Sequence, residues 1–371
     1  MEVSLLEFST RDELRAASAQ QRAFWLTNEV DPGTPAFNLL RVLKLKGEVD
    51  KHILARAFDE LVARHEVLRT GLVEQSGMVM QCVHNRIQFV LEEQDFSALS
   101  EPERCMEVDA FAVRMCQTAF DLAVPPHFRV ALVRSAEEEH LLVIVFHHAI
   151  IDGSSMGPFF KELTSLYNAG RRGKSAVLPN LAFQYSEFAE RQKRLYAQAK
   201  FDEDIAFWKK TLAGAPPLLA LPTIRPRPAV QGHRGKRLMF DIDKPLTKAL
   251  NTLCSRRGAT LFMGLLSAFQ ILLQRWADTD DVIVGSPVSG SRDEDLAPLI
   301  GCFVNTLALR GDLSSDPTFT ALLAQNRSSF LDALEHQQVP FERVVAEMGG
   351  GPVTRPFPAV PDHVCAAELS A

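Results

Sequence analysis

A chain of 371 residues, 46% hydrophobic and 23% charged, has the composition of a globular protein and is long enough for two cores. Its net charge of -6 excludes a general nucleic-acid surface, and the denser basic clusters (Arg171, Arg172 and Lys174; Arg225 and Arg227; Arg234 to Arg237) sit among Gly or Pro as solvated loops. No apolar run approaches the roughly 20 residues of a membrane span, no basic-then-apolar leader opens the chain, and six cysteines without a C-x-x-C pair read as reduced thiols. The expectation is a cytoplasmic protein whose partners are neither nucleic acid nor membrane.

In chain order, Ser18 is placed to cap a helix over residues 17–27 that carries Phe24, Trp25 and Leu26. Asp31 to Pro35 is a turn, and Leu39 to Leu45 alternates apolar and basic residues as a half-buried strand does. Between Val49 and Ala63 the apolar residues Ile53, Leu54, Ala57, Phe58, Leu61 and Val62 share one helical face. Leu68 to Val73 and Met78 to Val83 read as a hairpin around Gly77. A helix follows over Ala110 to Phe120, then strands over Phe128 to Val133 and Leu141 to Phe146. The last is apolar at every position, as in a central strand covered on both faces. Met156 to Tyr167 reads as a helix with Pro158 in its first turn.

Gly170 to Pro179 turns to Gly, Arg, Lys and Pro and marks a linker, which places a first domain at 1–175 and a second at 176–371. Phe183 to Trp208 reads as one long helical stretch, and five prolines between Pro216 and Pro228 require an extended crossover. A strand over Arg237 to Ile242, helices over Leu246 to Arg256 and Thr260 to Ala277, strands over Val282 to Val284 and Val304 to Leu309, and a helix over Phe319 to Leu334 complete the second half. The two halves are alike in element order, without sequence identity between them.

The central strand runs directly into His147-His148-Ala-Ile-Ile-Asp152-Gly153. A His ring can accept and return a proton near neutral pH. Successive strand residues point to opposite faces, so one histidine faces a cavity and the other packs behind; alternatively, both are satisfied members of the core. Adjacent strand histidines do not chelate one ion, and no Cys or His falls at zinc spacing, so no metal is expected. Asp152 either holds the histidine loop or caps the following helix. Gly153 permits a close approach to the backbone or serves as a turn. Ser154 and Ser155 lack a nucleophile elbow and read as helix caps.

These residues resemble the H-H-x-x-x-D-G signature of condensation domains in nonribosomal peptide synthetases. Five further motifs resemble that family in order: Ser18-Ala-Gln20-Gln21-Arg22 with Trp25-Leu26, Arg64-His65-Glu66-Val67-Leu68-Arg69-Thr70, Tyr185-Ser-Glu-Phe188-Ala189, Ile300-Gly301-Cys-Phe303-Val304-Asn305-Thr306, and His336-Gln337-Gln338-Val339-Pro340-Phe341-Glu342. Together they cover residues 15 to 345. The resemblance implies an α/β (α+β) fold of two chloramphenicol-acetyltransferase-like lobes forming a V-shaped pseudo-dimer, with a tunnel at their junction. It implies an acyltransferase that joins a carrier-protein-bound acyl or aminoacyl thioester to an amine or a hydroxyl in nonribosomal peptide or hybrid polyketide biosynthesis. His148 would be the catalytic general base or positioner, with His147 and Asp152 as supports and the Gly153 N–H as a donor near the thioester. The chain itself would bind no cofactor; 4'-phosphopantetheine would arrive on donor and acceptor carrier proteins, or the acceptor would be a free small molecule.

Both histidines are present, unlike in heterocyclisation relatives, and I-G-x-F-V-N-T differs from the epimerisation motif. Two departures from the family stand out. The Arg expected to pair with Asp152 falls at Ser291, which leaves Arg292 as the candidate partner. After Phe341-Glu342 the family continues with an R-D-x-S-R-N-P-like motif, whereas here Gly349-Gly350-Gly351-Pro352 and three more prolines lead to Ala371. The second lobe is therefore expected to be incomplete after about residue 350. Two alternatives stand beside condensation: a degenerate module that only docks carrier proteins, and an acyltransferase that uses a coenzyme A thioester. Substrate identity, amide against ester, activity of the shortened lobe and oligomeric state are not encoded in these motifs.

Overall fold

The protein is described by a computed structural model covering residues 13–216, 218–224, 238–289 and 295–349. It divides into two compact units. The first comprises the described residues of 13–197 and 295–303, and the second those of 198–289 and 304–349. The division falls after Ala197, later than the expected boundary at 175, and residues 295–303 return to the first unit.

The first unit begins with β1 (Glu13–Ala16), α1 (Ala19–Val30), β2 (Asn38–Lys46) and α2 (Lys51–Arg64). A 3-10 turn at Glu66–Arg69 leads into the hairpin β3 (Thr70–Gln75) and β4 (Met78–Val83). β5 (Leu91–Asp95), α3 (Glu101–Gln117), β6 (Phe128–Ala136), β7 (Glu139–His147), α4 (Gly153–Arg171) and α5 (Tyr185–Leu195) follow. The strands form a three-stranded sheet, β1-β4-β3, and a four-stranded sheet, β2-β7-β6-β5.

Strand β7 is central, antiparallel to both β2 and β6. Its continuous apolar run serves two cores at once. Leu142, Ile144 and Phe146 pack on one face with Phe58 and Leu61 of α2 and Phe159 and Leu163 of α4. Val143 and Val145 pack on the other with Phe111 and Met115 of α3. Period-two alternation separates the two sets, and burying each large side chain contributes about 1.5–3 kcal/mol. β7 is thus clamped from both faces up to its last residue, His147.

Local capping explains where the helices start. Ser18 caps α1 in a reciprocal box with Gln21, and Asp50 accepts the N–H groups of His52 and Ile53 at the head of α2. The helix expected over 110–120 begins at Glu101, because Ser100 and Glu103 form a capping box ahead of the apolar stripe. The helix expected from Met156 begins at Gly153, so Pro158 lies inside it and not in its first turn. β1 and β5 are strands that the sequence pattern does not announce.

The second unit contains α6 (Ala199–Leu212), α7 (Lys244–Arg256), α8 (Leu261–Ala277), β8 (Asp281–Val288), β9 (Asn305–Asp312), α9 (Phe319–Glu335) and α10 (Phe341–Glu347). The long helix expected over 183–208 is two helices, broken at residues 196–198. Strands β8 and β9 form an antiparallel pair. Asn326 of α9 donates to Ser267 Oγ and to Gln270 Oε1 of α8, both at 2.8 Å, and this buried polar set closes on the Leu309 carbonyl of β9. The strand expected over Arg237 to Ile242 is not formed at residues 238–242, where Leu238, Met239 and Phe240 are largely exposed; Arg237 lies outside the described residues. An apolar segment becomes a strand only when a neighbour supplies the ladder, and among the described residues this unit's sheet is the β8–β9 pair alone.

Candidate active site

The sheet ends where the chemistry-bearing residues begin. The His147 N–H bonds to the His127 carbonyl at 2.8 Å, and the His148 N–H bonds to the Phe37 carbonyl at 2.9 Å. The backbone of both histidines is therefore held by the neighbouring chain segments.

Their side chains go to different surroundings. His147 is 3% exposed, and its ring sits edge-on to Phe24, Phe37 and Phe120. Its Nδ1 accepts the Ala149 N–H at 3.1 Å. Burial, with His127 and His148 adding to it, pushes the ring down to about 3. His147 is thus a neutral ring with one nitrogen committed to the turn that follows. His148 is half-buried. Its ring stacks on Phe24 at 5.4 Å between centroids, and its Nδ1 lies 3.7 Å from the Cys302 Sγ. Burial lowers its pKa and Arg41 adds to that, while its own carbonyl, the Ile151 carbonyl and the Asp152 charge pull the other way.

Asp152 is buried and caps α4 through the Ser155 N–H. Its Oδ1 accepts from Ser154 Oγ at 2.6 Å and from the Ser155 N–H at 3.1 Å. Its Oδ2 accepts the Phe303 N–H at 2.7 Å. Its own N–H bonds to the Gly301 carbonyl at 3.0 Å, and Ser155 Oγ bonds to both the carbonyl and the N–H of Gly301. The cap reading and the support reading are therefore one arrangement: the carboxylate that starts α4 also binds the 301–303 segment beside His148. Arg292, the candidate partner of Asp152, lies outside the described residues, as does Ser291. Gly153 opens α4, and a Cβ there would meet nothing within 4 Å.

Three contributors were not legible as site residues. In the sequence Cys302 is an unspecified position within a motif, Phe24 is one apolar residue of a helix, and Tyr185 opens a motif with no stated task. Tyr185 donates its hydroxyl to the Cys302 carbonyl at 2.7 Å and shares a 2.9 Å hydrogen bond with Ser18 Oγ. It thereby ties the α1 cap to the same segment. A Cβ on Gly301 would lie 2.1 Å from the Tyr185 ring, so glycine is required there by close approach.

The remaining motifs hold the scaffold. Glu162 of α4 accepts from Arg64 at 3.0 Å and from His65 at 2.8 Å. Burial opposes its charge, but these two partners outweigh burial and keep its carboxyl below the usual range. Glu66 accepts from Ser186 Oγ of α5 at 2.9 Å. In the second unit, Asn305 donates to the carbonyls of Gln337 and Val339, each at 2.7 Å, and accepts the Phe341 N–H. His336 pairs with Asp204 at 2.6 Å and stacks on Phe207.

Among the described residues, no group of three or more His, Cys, Asp or Glu is placed to hold a metal ion. Also among them, no helix is long and apolar enough to cross a membrane. Cys82, Cys105, Cys116, Cys254 and Cys302 are thiols outside any disulfide. Cys365 and the stretch 350–371, on which the expected incompleteness of the second lobe rests, lie outside the described residues.

Comparison with known proteins agrees with the fold. Residues 10–350 match the family model described as Condensation domain. The chain is 39% identical over 347 residues to a linear gramicidin synthase of Brevibacillus parabrevis, covering 94% of this chain and 7% of that protein. It is 37% identical over 334 residues to phosphinothricin tripeptide synthetase PhsC of Streptomyces viridochromogenes, covering 89% of this chain and 30% of that one. The chain thus spans less than a third of these two relatives' length. Among solved structures, the X-domain in its complex with OxyB from teicoplanin biosynthesis matches with a TM-score of 0.83 at 29% identity, covering 96% of this chain and 78% of that one. The chain belongs to the condensation-domain family, with the mixed α/β fold of that family.

Proposed function

We propose that this chain acts as a condensation-type acyltransferase, joining a carrier-bound acyl or aminoacyl thioester to an amine and forming an amide, with a hydroxyl as the alternative acceptor. The observation that carries this reading is His148: a half-buried imidazole, depressed in pKa, at the clamped end of a central strand. In this reading the acceptor nitrogen attacks the thioester carbonyl carbon. The N–C bond forms as the proton passes from nitrogen to His148 Nε2. Collapse of the tetrahedral adduct breaks the C–S bond, and the proton returns to the departing thiolate. General-base help of this kind contributes typically about 10²–10⁴-fold, and alignment of two tethered reactants contributes more.

In the same reading Gly153 supplies a donor to the developing oxyanion. Its N–H is the first of α4, where the helix itself offers no partner, and the open space over its Cα favours close approach. His147 and Asp152 hold the turn. The 4'-phosphopantetheine arm arrives with the donor, on a carrier protein, as part of the substrate.

The test is product formation from a panel of aminoacyl and acyl thioesters on phosphopantetheine-loaded carrier protein, with aminoacyl carrier proteins and free amines as acceptors. Intact-protein mass spectrometry reads transfer of the acyl group. His148→Ala is expected to lose at least about 10²-fold of the rate; undiminished transfer overturns the reading. Coenzyme A thioesters in the same panel decide whether a carrier protein is needed. A second reading, a module that binds partner proteins without forming a bond, draws on the likeness to an X-domain solved with OxyB. It predicts carrier binding without transfer from any donor, in the wild type and in the His148 variant alike.

A further inference from the structure

Cys302 is fully buried, and its Sγ stands 3.7 Å from Nδ1 of His148. The position of that sulfur is fixed by three successive residues. The Gly301 carbonyl and N–H are bonded by Asp152 and Ser155. The Cys302 carbonyl accepts the Tyr185 hydroxyl. The Phe303 N–H is bonded by Asp152 Oδ2. A segment tied at every residue presents the thiol to the imidazole in one geometry.

A neutral imidazole carries one proton, and the nitrogen that holds it decides what the other can do. Two carbonyls, those of His148 itself and of Ile151, bear on this ring as acceptors. Covalent geometry lets Nδ1 reach the residue's own carbonyl, while Nε2 lies on the far side of the ring. A carbonyl only accepts, so that contact favours Nδ1 as the donating nitrogen, and the tautomer sets the direction of the 3.7 Å contact with the Cys302 sulfur. That sulfur is a weak acceptor, and stacking on Phe24 fixes the ring plane.

We propose that Cys302 is a positioning residue: its sulfur accepts from Nδ1–H of His148 and helps hold the ring in the tautomer whose Nε2 is bare. The need for a bare Nε2 rests on the general-base reading; the Cys302–His148 bond does not. In the wrong tautomer Nε2 would carry a proton toward the acceptor and could not receive one.

The experiment is ¹⁵N NMR of the full chain labelled at its histidine rings, with the His148 signals identified by their loss in His148→Ala. The wild type is expected to show a protonated Nδ1 and a bare Nε2. Cys302→Ala is expected to add a population protonated at Nε2 and to lower kcat about tenfold, with KM little changed. Cys302→Ser, which keeps an acceptor, restores both, and Cys302→Val replaces the alanine variant where a cavity unfolds the chain. A protonated Nε2 in the wild type, or a spectrum unchanged in Cys302→Ala and Cys302→Val, overturns the proposal. Undiminished transfer by His148→Ala ends the general-base reading and the positioning role with it, whereas the spectrum separately decides whether the sulfur sets the tautomer.

Discussion

The Asp152 Oδ2 accepts the backbone N–H of Phe303 at 2.7 Å, across 151 residues of sequence. The same carboxylate begins α4 and accepts from Ser154 and Ser155. One buried side chain therefore joins the end of the histidine turn, the start of a helix and the segment that carries Cys302. Asp152→Ala removes a helix cap, worth about 0.5–2 kcal/mol, and strands a buried N–H, at about 1–3 kcal/mol. The expected loss is about 1.5–5 kcal/mol, read as a fall in the urea midpoint. Ser154→Ala, at an exposed position, removes one donor to that carboxylate and should cost less, about 0.5–1.5 kcal/mol.

Gly301 is set by the Tyr185 ring. A methyl group there would stand 2.1 Å from Tyr185 Cδ2 and 3.0 Å from the Phe303 ring. Gly301→Ala is expected to cost about 1–3 kcal/mol or more through overpacking. The clash has one main partner, so the cost should shrink in a Tyr185→Ala background. A double-mutant cycle by chemical denaturation checks this; additive losses would rule out the steric account.

Asn305 closes the second unit locally. It holds the carbonyls of Gln337 and Val339 and the N–H of Phe341, where α10 begins. Asn305→Ala should cost about 1–3 kcal/mol and raise amide exchange at Phe341 more than in α9. Uniform exchange across both helices would contradict a local latch.

Two buried histidines set an acid response. Burial pushes His127 down to about 4 and His147 down to about 3. The unfolded chain takes up protons near pH 6.5, so between pH 6.5 and about 4 it binds more of them than the folded chain. Their contribution is therefore complete above about pH 6.5 and declines as pH falls, at up to about 1.4 kcal/mol per pH unit for each ring. Glu162, held below the usual carboxyl range, acts in a lower window, losing its contribution as pH falls below about 4.5. Urea midpoints at pH 7.5, 5.5 and 4.5 test the order: the first loss belongs to the histidines, and His127→Phe or His147→Phe should flatten it.

Periodicity read the core elements well where one face is buried. β2, α2, β6 and β7 fall within a few residues of expectation, because the apolar pattern and the tertiary environment demand the same residues. It failed where capping or pairing outweighs pattern. α3 starts nine residues early, at a capping box that precedes the apolar stripe. The expected single helix over 183–208 breaks at 196–198 although both parts are amphipathic. The segment 238–242 is apolar at four of five positions, as a strand can be, yet has no ladder partner among the described residues.

The sequence by itself determined the family, the order of motifs and the candidate histidine, because adjacent residues such as His147-His148 and Asp152-Gly153 are written next to each other. Tertiary structure alone decided which ring packs behind and which remains accessible, and what stands beside it. Cys302, Tyr185 and Phe24 come from three distant parts of the chain, and the hydrogen bonds and ring stacking that gather them have no periodicity to read. Local pattern records which face of an element is buried; it does not record which distant donor meets which acceptor, and the surroundings of His148 are made of such meetings.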